Sequence, residues 1–352
     1  MPIPKTISLG RHRIGPDAPC YVSIEAGATH SGYESAIRMI EAAADAGAQA
    51  IKFQIIDTDA LMADPSTRIQ YQTADGSKSE ERVYDALKRR ELPYETWETL
   101  KHEADARDLD FIATPSGPET IDFLQSIGAA AVKVAKSDIN HRYLIEHMAK
   151  SGLPVILDAR EKFTDVEAAV SICEAHRNEN IIIMHCPSGY PAEHAGIHLD
   201  VIRAITHLFP YPAGYADHSA GMHMNFAALG MGARCIEKSV SLDVSTDAVE
   251  HSIGLEPSEL SSFVRQVREV DAALGDSRVL FNSRVNPDHR RSIQINQDLP
   301  EGTTIQLEHL AFRRPGHYWG VEHYEEALGK RTKCALKAGS WLKPEHLESA
   351  ID

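Results

Sequence analysis

The sequence predicts an α/β protein, a (β/α)8 TIM barrel followed by a small, mostly β domain. Short segments rich in Val, Ile and Ala alternate with segments of 3.6-residue hydrophobic period through most of the chain. Eight such pairs occur, the number that closes a parallel barrel. A doubly wound open sheet would show the same alternation, but it needs no count of eight and usually carries a Gly-rich nucleotide fingerprint, which the sequence lacks. We therefore expect no nucleotide cofactor.

Each barrel strand is expected from a short apolar run bounded by turn residues. The expected strands cover residues 21–24, 50–54, 111–114, 131–135, 155–158, 181–186, 213–215 and 235–240. Between them, apolar residues recur every three or four positions, which predicts helices with one buried face. The expected helices cover residues 36–46, 95–107, 120–127, 143–150, 165–175, 200–208, 222–231 and 257–274.

The predicted domains are a barrel over residues 1–275, a linker over 276–290 and a small domain over 291–352. The linker is polar and irregular, and Asn286-Pro287 marks a turn within it. In the last segment, three alternating stretches (292–295, 304–307 and 331–335) are separated by Pro and Gly turns. A domain of about 60 residues has a thin core, so it would gain stability by docking onto a larger surface.

Composition narrows the function class. The chain of 352 residues carries 36 basic and 51 acidic side chains, a formal charge of −15, which argues against nucleic acid as a partner. Its five cysteines are scattered and include no C-x-x-C pair, so neither a disulfide framework nor a structural zinc site is indicated. No apolar run reaches membrane-spanning length or has the form of a signal peptide, and we therefore expect a cytoplasmic protein without a membrane partner.

Charged residues follow two of the predicted strands directly. The first strand ends in Glu25, a turn follows, and His30 comes next, while the second strand carries Lys52 near its end. Because catalytic groups of a barrel lie at the carboxyl ends of its strands, these three residues are candidates for an acid, a base and a cation in one site. The alternative is that Glu25 and His30 begin an ordinary solvated loop.

Over nearly its whole length the chain resembles the sialic acid synthases, which include N-acetylneuraminate synthase and related nonulosonate synthases. The matching elements, in order, are residues 25–32 (E-I-G-x-N-H-x-G in the family), 51–54 (V-K-F-Q), 114–115 (T-P), 133–135 (K-I-A), 185–191 (H-C-T-x-x-Y-P), 214–218 (G-x-S-D-H), 236–239 (I-E-K-H) and 250–257 (D-H-x-x-S-L-x-P). Residues 290–292, 298–302, 314–316 and 328–330 resemble the family's antifreeze-like (SAF) domain.

The resemblance implies a transferase that forms a carbon–carbon bond. Phosphoenolpyruvate condenses with the open-chain aldehyde of an N-acylated hexosamine, water adds at C2, and phosphate leaves to give a nine-carbon 2-keto-3-deoxy acid. The candidate catalytic residues are Glu25, His30, Lys52 and Asp217. The candidate substrate-binding residues are Gln54, Thr114, Lys133, Lys136, Asp138, Arg160, Ser188, Tyr190, Glu250 and Arg314.

The resemblance also implies a metal and a partner subunit. The family holds a divalent ion, Mn²⁺ or Mg²⁺, partly through histidine, and His218 and Glu237 are the candidate ligands here. For Glu237, a structural ion pair is an equally good interpretation. In the family, an arginine matched by Arg314 covers the barrel mouth of the other subunit, which implies a domain-swapped homodimer.

Several positions depart from the family pattern. Ser239 replaces the second metal-binding histidine, and a hydroxyl is a poor substitute for imidazole. Lys136 and Ser188 replace a serine and an asparagine that hold phosphate, and Arg160 follows a strand end of altered sequence. One hypothesis is that Lys136 and Arg160 rebuild the phosphate site in a divergent synthase. A second is that the phosphate site is lost and Lys136 supports Schiff-base aldol or lyase chemistry on another sugar or keto acid. A third is a non-catalytic sugar-binding homologue.

Overall fold

The computed structural model describes residues 4–159, 162–275 and 284–348, and it divides the chain after Gly275 into two compact units. Each unit is described by itself. Within the described ranges, no helix has the length and apolar character needed to cross a membrane.

The first unit is a closed barrel of eight parallel strands, as the sequence predicted. In chain order, barrel strands 1 to 8 are Tyr21–Glu25, Ala50–Ile55, Asp110–Pro115, Ala131–Val134, Val155–Asp158, Ile181–His185, Ala213–Asp217 and Cys235–Ser239. Strand 8 pairs with strand 1 and closes the barrel, in a register that sets Ser239 beside Glu25. On the other side of strand 1, Glu25 lies beside Lys52 of strand 2. The expected bounds differ from these by one or two residues at most strand ends, where pairing frays.

Eight helices pack around the strands, also as expected. They are Tyr33–Asp45, Tyr94–Asp105, Pro118–Ser126, Arg142–Ser151, Phe163–Ala175, Asp200–Leu208, His223–Gly230 and Pro257–Leu274. The last of them illustrates the cause. Glu256 and Glu259 form a capping box at its start, and its apolar residues recur at helical spacing on the buried face. Those buried residues are Leu260, Phe263, Val264 and Val267.

Two hairpins of the barrel unit were not predicted. One joins Ile7–Leu9 to His12–Ile14, and the other joins Arg68–Gln72 to Lys78–Arg82. The second is polar and half exposed, so it lacks the apolar alternation that identifies a strand in sequence. Short helices Thr58–Leu61 and Val83–Lys88 flank it. This insertion braces the barrel mouth, because the Gln72 amide donates to the Tyr190 carbonyl at 2.9 Å.

The inside of the barrel changes character from one end to the other. Its lower layers are apolar and are closed below by residues of the first hairpin. The inward-facing members of this core are Ile7, Leu9, Ile14, Tyr21, Ala50, Ile112, Ala131, Ile156, Ile182, Met184, Ala216 and Cys235. Two residues further along a strand the side chain faces inward again. Lys52, Lys133 and Glu237 each lie two residues after a core residue, namely Ala50, Ala131 and Cys235. Their charged side chains therefore point into the barrel directly above the apolar core.

The second unit is small and contains one regular sheet, in which Ser292–Ile295 pairs antiparallel with Leu310–Arg313. The strand at 292–295 was predicted. The stretches at 304–307 and 331–335 meet only in the single bridge Thr304↔Arg331, and the strand at 310–313 was not expected. A buried cluster that includes Ile293, Leu336 and Leu342 forms the core. With so few apolar residues, turns and isolated bridges supply much of the backbone pairing.

Candidate active site

A cavity of about 280 Å³ opens at the carboxyl ends of the barrel strands. Fourteen residues form its wall, from strands 1, 2, 3, 4, 5 and 8 and from the loops after strands 4, 6, 7 and 8. They are Glu25, Lys52, Gln54, Thr114, Lys133, Ala135, Lys136, Ser137, Asp158, Cys186, Tyr190, His218, Glu237 and Glu250. The predicted site residues that the structure brings together here are therefore Glu25, Lys52, Gln54, Thr114, Lys133, Lys136, Tyr190, Glu250, His218 and Glu237.

A buried network of ion pairs lies at the centre of the cavity. Lys52 forms an ion pair with Glu25, and its Nζ is 3.7 Å from Glu237 Oε1. Lys133 Nζ donates to the same Glu237 oxygen at 2.5 Å. All four side chains are at most 6% exposed. Two ammonium groups and two carboxylates thus share one desolvated space, where charges interact more strongly than in water.

Burial and neighbouring charge shift the protonation of this network. Burial lowers the pKa of Lys52 to about 8, although the carboxylates of Glu237 and Glu250 act to raise it. Burial is the largest single influence on Lys133 and acts to lower its pKa, but Glu237, Cys186 and Asp158 together outweigh it and raise that pKa above its ordinary value. Burial acts to raise the pKa of Glu237, yet the ammonium groups of Lys133 and Lys52 lower it to about 2. Lys133 and Glu237 are therefore charged at neutral pH, and of these three groups Lys52 has the pKa nearest to neutrality.

The carboxylate of Glu25 is fixed by the chain that follows it. The Gly27 amide donates to Glu25 Oε1. A Cβ at Gly27 would lie 2.6 Å from that oxygen and 2.7 Å from the Gln54 amide nitrogen. Only glycine permits so close an approach, which accounts for the Gly in the turn after strand 1. One oxygen of Glu25 is thereby held by the backbone, and the other faces Lys52.

The rim of the cavity comes from the loops after strands 4, 6 and 7. The ring of Tyr190 lies over His218 with 4.9 Å between ring centroids. His218 Nε2 is 3.9 Å from Cys186 Sγ. Lys136, which is half buried, donates to Ser188 Oγ at 3.2 Å. Lys136 therefore lies at the mouth and not in the apolar interior on which a Schiff-base lysine of lowered pKa would depend.

Two candidate catalytic residues lie outside the cavity wall. His30 is buried at 2% exposure and packs edge-on against Phe53 and Trp97. Burial, with a smaller contribution from Arg90, lowers the pKa of His30 to about 3, so the ring is neutral. It lines a different cavity, between the loops after strands 1 and 8.

Asp217 faces outward, between the barrel and its helices. Strand alternation explains this, because the preceding residue Ala216 belongs to the inner core. Both carboxylate oxygens are engaged by buried donors. These donors are Lys238 Nζ (2.9 Å), Asn225 Nδ2 (2.7 Å), the Ser219 amide (2.8 Å), Ser219 Oγ (2.6 Å) and the Tyr215 hydroxyl (3.1 Å). The geometry is that of a structural network that anchors strand 7 to strand 8.

The remaining candidates are distributed around the molecule. Asp138 lies in the turn after strand 4, outside the cavity wall, where burial raises the pKa of its carboxyl group. Ser188 is on the rim as the partner of Lys136. Arg314 is exposed in the second unit. Arg160 lies outside the described residues.

Four wall residues were not among the candidates, and three of them, besides Ala135, carry polar groups. Asp158 ends strand 5, Cys186 follows strand 6, and Ser137 follows strand 4. Asp158 had a recognisable signal, since it ends a strand in the manner of Glu25 and lies on the inward-facing side two residues after Ile156. Its charge also contributes to the raised pKa of Lys133.

The donors in the cavity do not fit the divalent metal that the sequence resemblance implies. Glu237 already accepts from Lys133 and lies near Lys52, and a dication would be repelled by both ammonium groups. Ser239, in place of an imidazole, donates to Glu250 Oε2 at 3.4 Å. Across the described ranges, no three His, Cys, Asp or Glu side chains are grouped to hold an ion. Among the described wall residues, His218 is the only imidazole.

The fold and this site define a barrel protein with a lysine- and carboxylate-lined cavity at the catalytic end. The family model described as "NeuB family" matches residues 39–279, and the SAF domain model matches residues 290–348. The chain belongs to the NeuB family and carries a SAF domain.

Relatives match over nearly full length. An N,N'-diacetyllegionaminic acid synthase of Legionella pneumophila is 29% identical, with 95% of this chain and 96% of that protein covered. The spore coat polysaccharide biosynthesis protein SpsE of Bacillus subtilis is 34% identical over 86% of each chain. The crystal structure of N-acetylneuraminic acid synthetase from Leptospira borgpetersenii in complex with citrate has a TM-score of 0.70 and 29% identity, covering 82% of this chain and 94% of that one.

Proposed function

We propose that the protein is a nonulosonate synthase that condenses phosphoenolpyruvate with the open-chain aldehyde of an N-acylated hexosamine. The observation that carries this proposal is the buried arrangement of Lys52, Lys133, Glu25 and Glu237 at the end of the barrel where catalysis occurs in this fold. Family membership and relatives named as sugar-acid synthases support the same reaction class.

The lysines fit the charge of phosphoenolpyruvate. The molecule carries a carboxylate and a phosphate, and the cavity offers the ammonium groups of Lys52, Lys133 and Lys136. In the free protein the carboxylates of Glu25 and Glu237 balance two of these cations. Lys136 at the mouth adds a cation where the family has a serine, which supports a rebuilt phosphate site over a lost one.

Glu25 and Lys52 fit the two proton transfers. C3 of phosphoenolpyruvate bonds to the aldehyde carbon, and Lys52 gives a proton to the aldehyde oxygen. A pKa of about 8 suits a general acid near neutral pH. Water then adds at C2 and yields one proton to Glu25. The bond from C2 to the phosphate oxygen breaks, the remaining hydroxyl proton passes to the departing phosphate, and the 2-keto acid and inorganic phosphate are released.

The sugar is expected on the rim side of the cavity. Tyr190 and Glu250 offer a ring face and a carboxylate for hydroxyl or amide groups. Arg314 of the SAF domain, exposed and rich in donors, is proposed to complete the site of a second subunit in a domain-swapped homodimer. No step of this scheme requires a metal, in keeping with the donor chemistry of His218, Glu237 and Ser239.

The proposal is tested with phosphoenolpyruvate labelled with ¹⁸O in the bridging oxygen and a panel of N-acetylated and di-N-acetylated hexosamines, each with and without a 6-phosphate. We expect sugar-dependent release of phosphate that retains the label, together with a nine-carbon 2-keto acid seen by mass spectrometry. Lys133→Met should lose phosphoenolpyruvate binding measured by calorimetry. Lys343→Met in the second unit is the matched control and should bind phosphoenolpyruvate as the parent does.

Two results would overturn the proposal. One is the absence of calorimetric phosphoenolpyruvate binding by the folded chain at millimolar concentration. The other is a covalent adduct of pyruvate trapped by borohydride on a cavity lysine, because this would assign the barrel to Schiff-base aldol chemistry instead.

A further inference from the structure

A second cavity of about 360 Å³ lies beside the candidate active site, between the loop after strand 1 and the loop after strand 8. Three arginines line it: Arg38 from the helix after strand 1, and Arg89 and Arg90 from the end of the insertion. We refer to it as the arginine pocket. Its size admits a small metabolite or a free inorganic anion.

The pocket has an excess of positive charge. Arg89 pairs with Glu81 at 2.7 Å. Arg38 is exposed and makes no ion pair or hydrogen bond with any part of the chain that the structure describes. The one acidic side chain in the wall is Asp243, and its Oδ1 is engaged by the Ser245 amide (2.9 Å) and hydroxyl (2.6 Å). The wall therefore holds more positive charge than its carboxylates balance.

Arg90 is the most constrained of the three arginines. It is 7% exposed and donates to two backbone carbonyls, from Nε to Ala86 O at 2.8 Å and from Nη1 to Gly27 O at 3.1 Å. No described carboxylate lies within 4 Å of it, and Nη2 has no hydrogen-bond acceptor in that part of the chain. Glu250 and Glu81 act on its charge only from beyond ion-pair distance. A guanidinium stays charged when buried, and a buried charge without a carboxylate in contact is costly, so the geometry favours an anion.

The imidazole of His30 forms another part of the wall. Both ring nitrogens are buried and lack a hydrogen-bond partner within the described ranges. A buried donor without an acceptor costs free energy that a bound group can recover after a small shift of the ring. Arg90 and His30 are thus two incompletely satisfied polar groups in one cavity wall.

We propose that the arginine pocket binds an oxyanion, the phosphate or carboxylate group of a small metabolite, through Arg90 and Arg38. This binding does not depend on the reaction assigned to the active site. It is connected with that site, however, because Arg90 holds the carbonyl of Gly27 while the amide of Gly27 holds Glu25. An anion at Arg90 therefore acts on a residue that positions the catalytic carboxylate.

Calorimetric titration with inorganic phosphate tests the proposal on the full chain. Lys133→Met serves as the parent, because it removes a cation that would bind phosphate in the active-site cavity. We expect one phosphate site to remain in this parent. Arg38→Ala should weaken that site by about tenfold or more, since hydrogen bonds between charged groups are the strong ones. Arg203→Ala, an exposed arginine paired with Asp200 at 2.9 Å, is the matched control and should bind as the parent does.

Arg38→Ala is decisive because the side chain is exposed and unpaired, so its loss does not threaten folding. Arg90→Lys, checked by circular dichroism, is the second variant and should weaken binding further. Titration with acetate and with glucose 6-phosphate distinguishes a carboxylate from a phosphate monoester as the preferred group. The proposal is overturned if Lys133→Met binds no phosphate at millimolar concentration, or if Arg38→Ala binds it as tightly as the parent.

Discussion

Exchanging Asp217 and Glu25 in turn for their amides separates a structural carboxylate from a catalytic one. In Asp217→Asn, the charge that faces Lys238 disappears, and the ammonium group, which is fully buried, keeps only neutral hydrogen-bond acceptors such as the Ser219 carbonyl at 2.6 Å. The new amide nitrogen also faces donors from Asn225 or Ser219. Breaking a buried pair on one side costs about 3–5 kcal/mol. That is a large part of the about 5–15 kcal/mol by which proteins are stable.

A double variant checks the cause of this loss. Asp217→Asn combined with Lys238→Met removes both charges, and replacing a buried ion pair by apolar groups is often close to neutral. We expect most of the lost unfolding free energy to return. Urea unfolding followed by circular dichroism and by fluorescence gives the free energies, and coincidence of the two signals checks that the transition is two-state.

Glu25→Gln should behave in the opposite way. The amide has the shape of the carboxylate, and its oxygen still accepts from Gly27. Lys52 loses its ion pair with Glu25 but keeps a second carboxylate, Glu237 at 3.7 Å, whereas Lys238 has no second ion-pair partner among the described residues when Asp217 is replaced. We expect a folded protein whose sugar-dependent phosphate release falls by about 10²–10⁴-fold, the contribution of a positioned proton acceptor. Asp217→Asn should retain its rate per folded molecule. The reasoning is refuted if Asp217→Asn abolishes turnover with unchanged unfolding, or if Glu25→Gln turns over like the parent.

Three further predictions follow from the cavity and the SAF domain. First, kcat/KM should fall as the pH rises through about 8, because Lys52 loses its proton there, and Lys52→Arg should remove that limb of the profile. An unchanged alkaline limb in Lys52→Arg would contradict the assignment. Since the pKa of Lys52 in the folded protein lies below its ordinary value of 10.5, the charged side chain lowers the free energy of unfolding below about pH 8, and this loss should disappear between about pH 8 and 10.5. Second, calorimetric binding of Mn²⁺ should be weak in the parent and at least about tenfold tighter in Ser239→His, because an imidazole replaces a hydroxyl; tight stoichiometric binding by the parent would disprove the altered site. Third, mixed dimers of Glu25→Gln and Arg314→Ala chains should regain activity, since one of their two sites combines intact halves; heterodimers that form but stay inactive would exclude a shared site.

The sequence alone determined the architecture of the barrel and the centre of the candidate site. Eight apolar runs separated by helical periods fixed the strand count, because a strand buried between an inner core and an outer layer of helices must be apolar over its length. Glu25, Lys52, Lys133 and Glu237 were identified because charged residues at such strand ends are exceptional and matched a known family pattern. The fold then required them to converge.

Only the tertiary structure decided which way each side chain points and which partners it meets. Asp217 and Glu237 lie near the ends of adjacent strands, yet strand alternation turns one toward the helices and the other into the cavity. His30 follows Glu25 by five residues but packs against Phe53 and Trp97 outside the barrel. Arg90 has no signal in the sequence beyond its charge. Its burial depends on the insertion folding back against the loop after strand 1, a contact between segments 63 residues apart that no local pattern specifies.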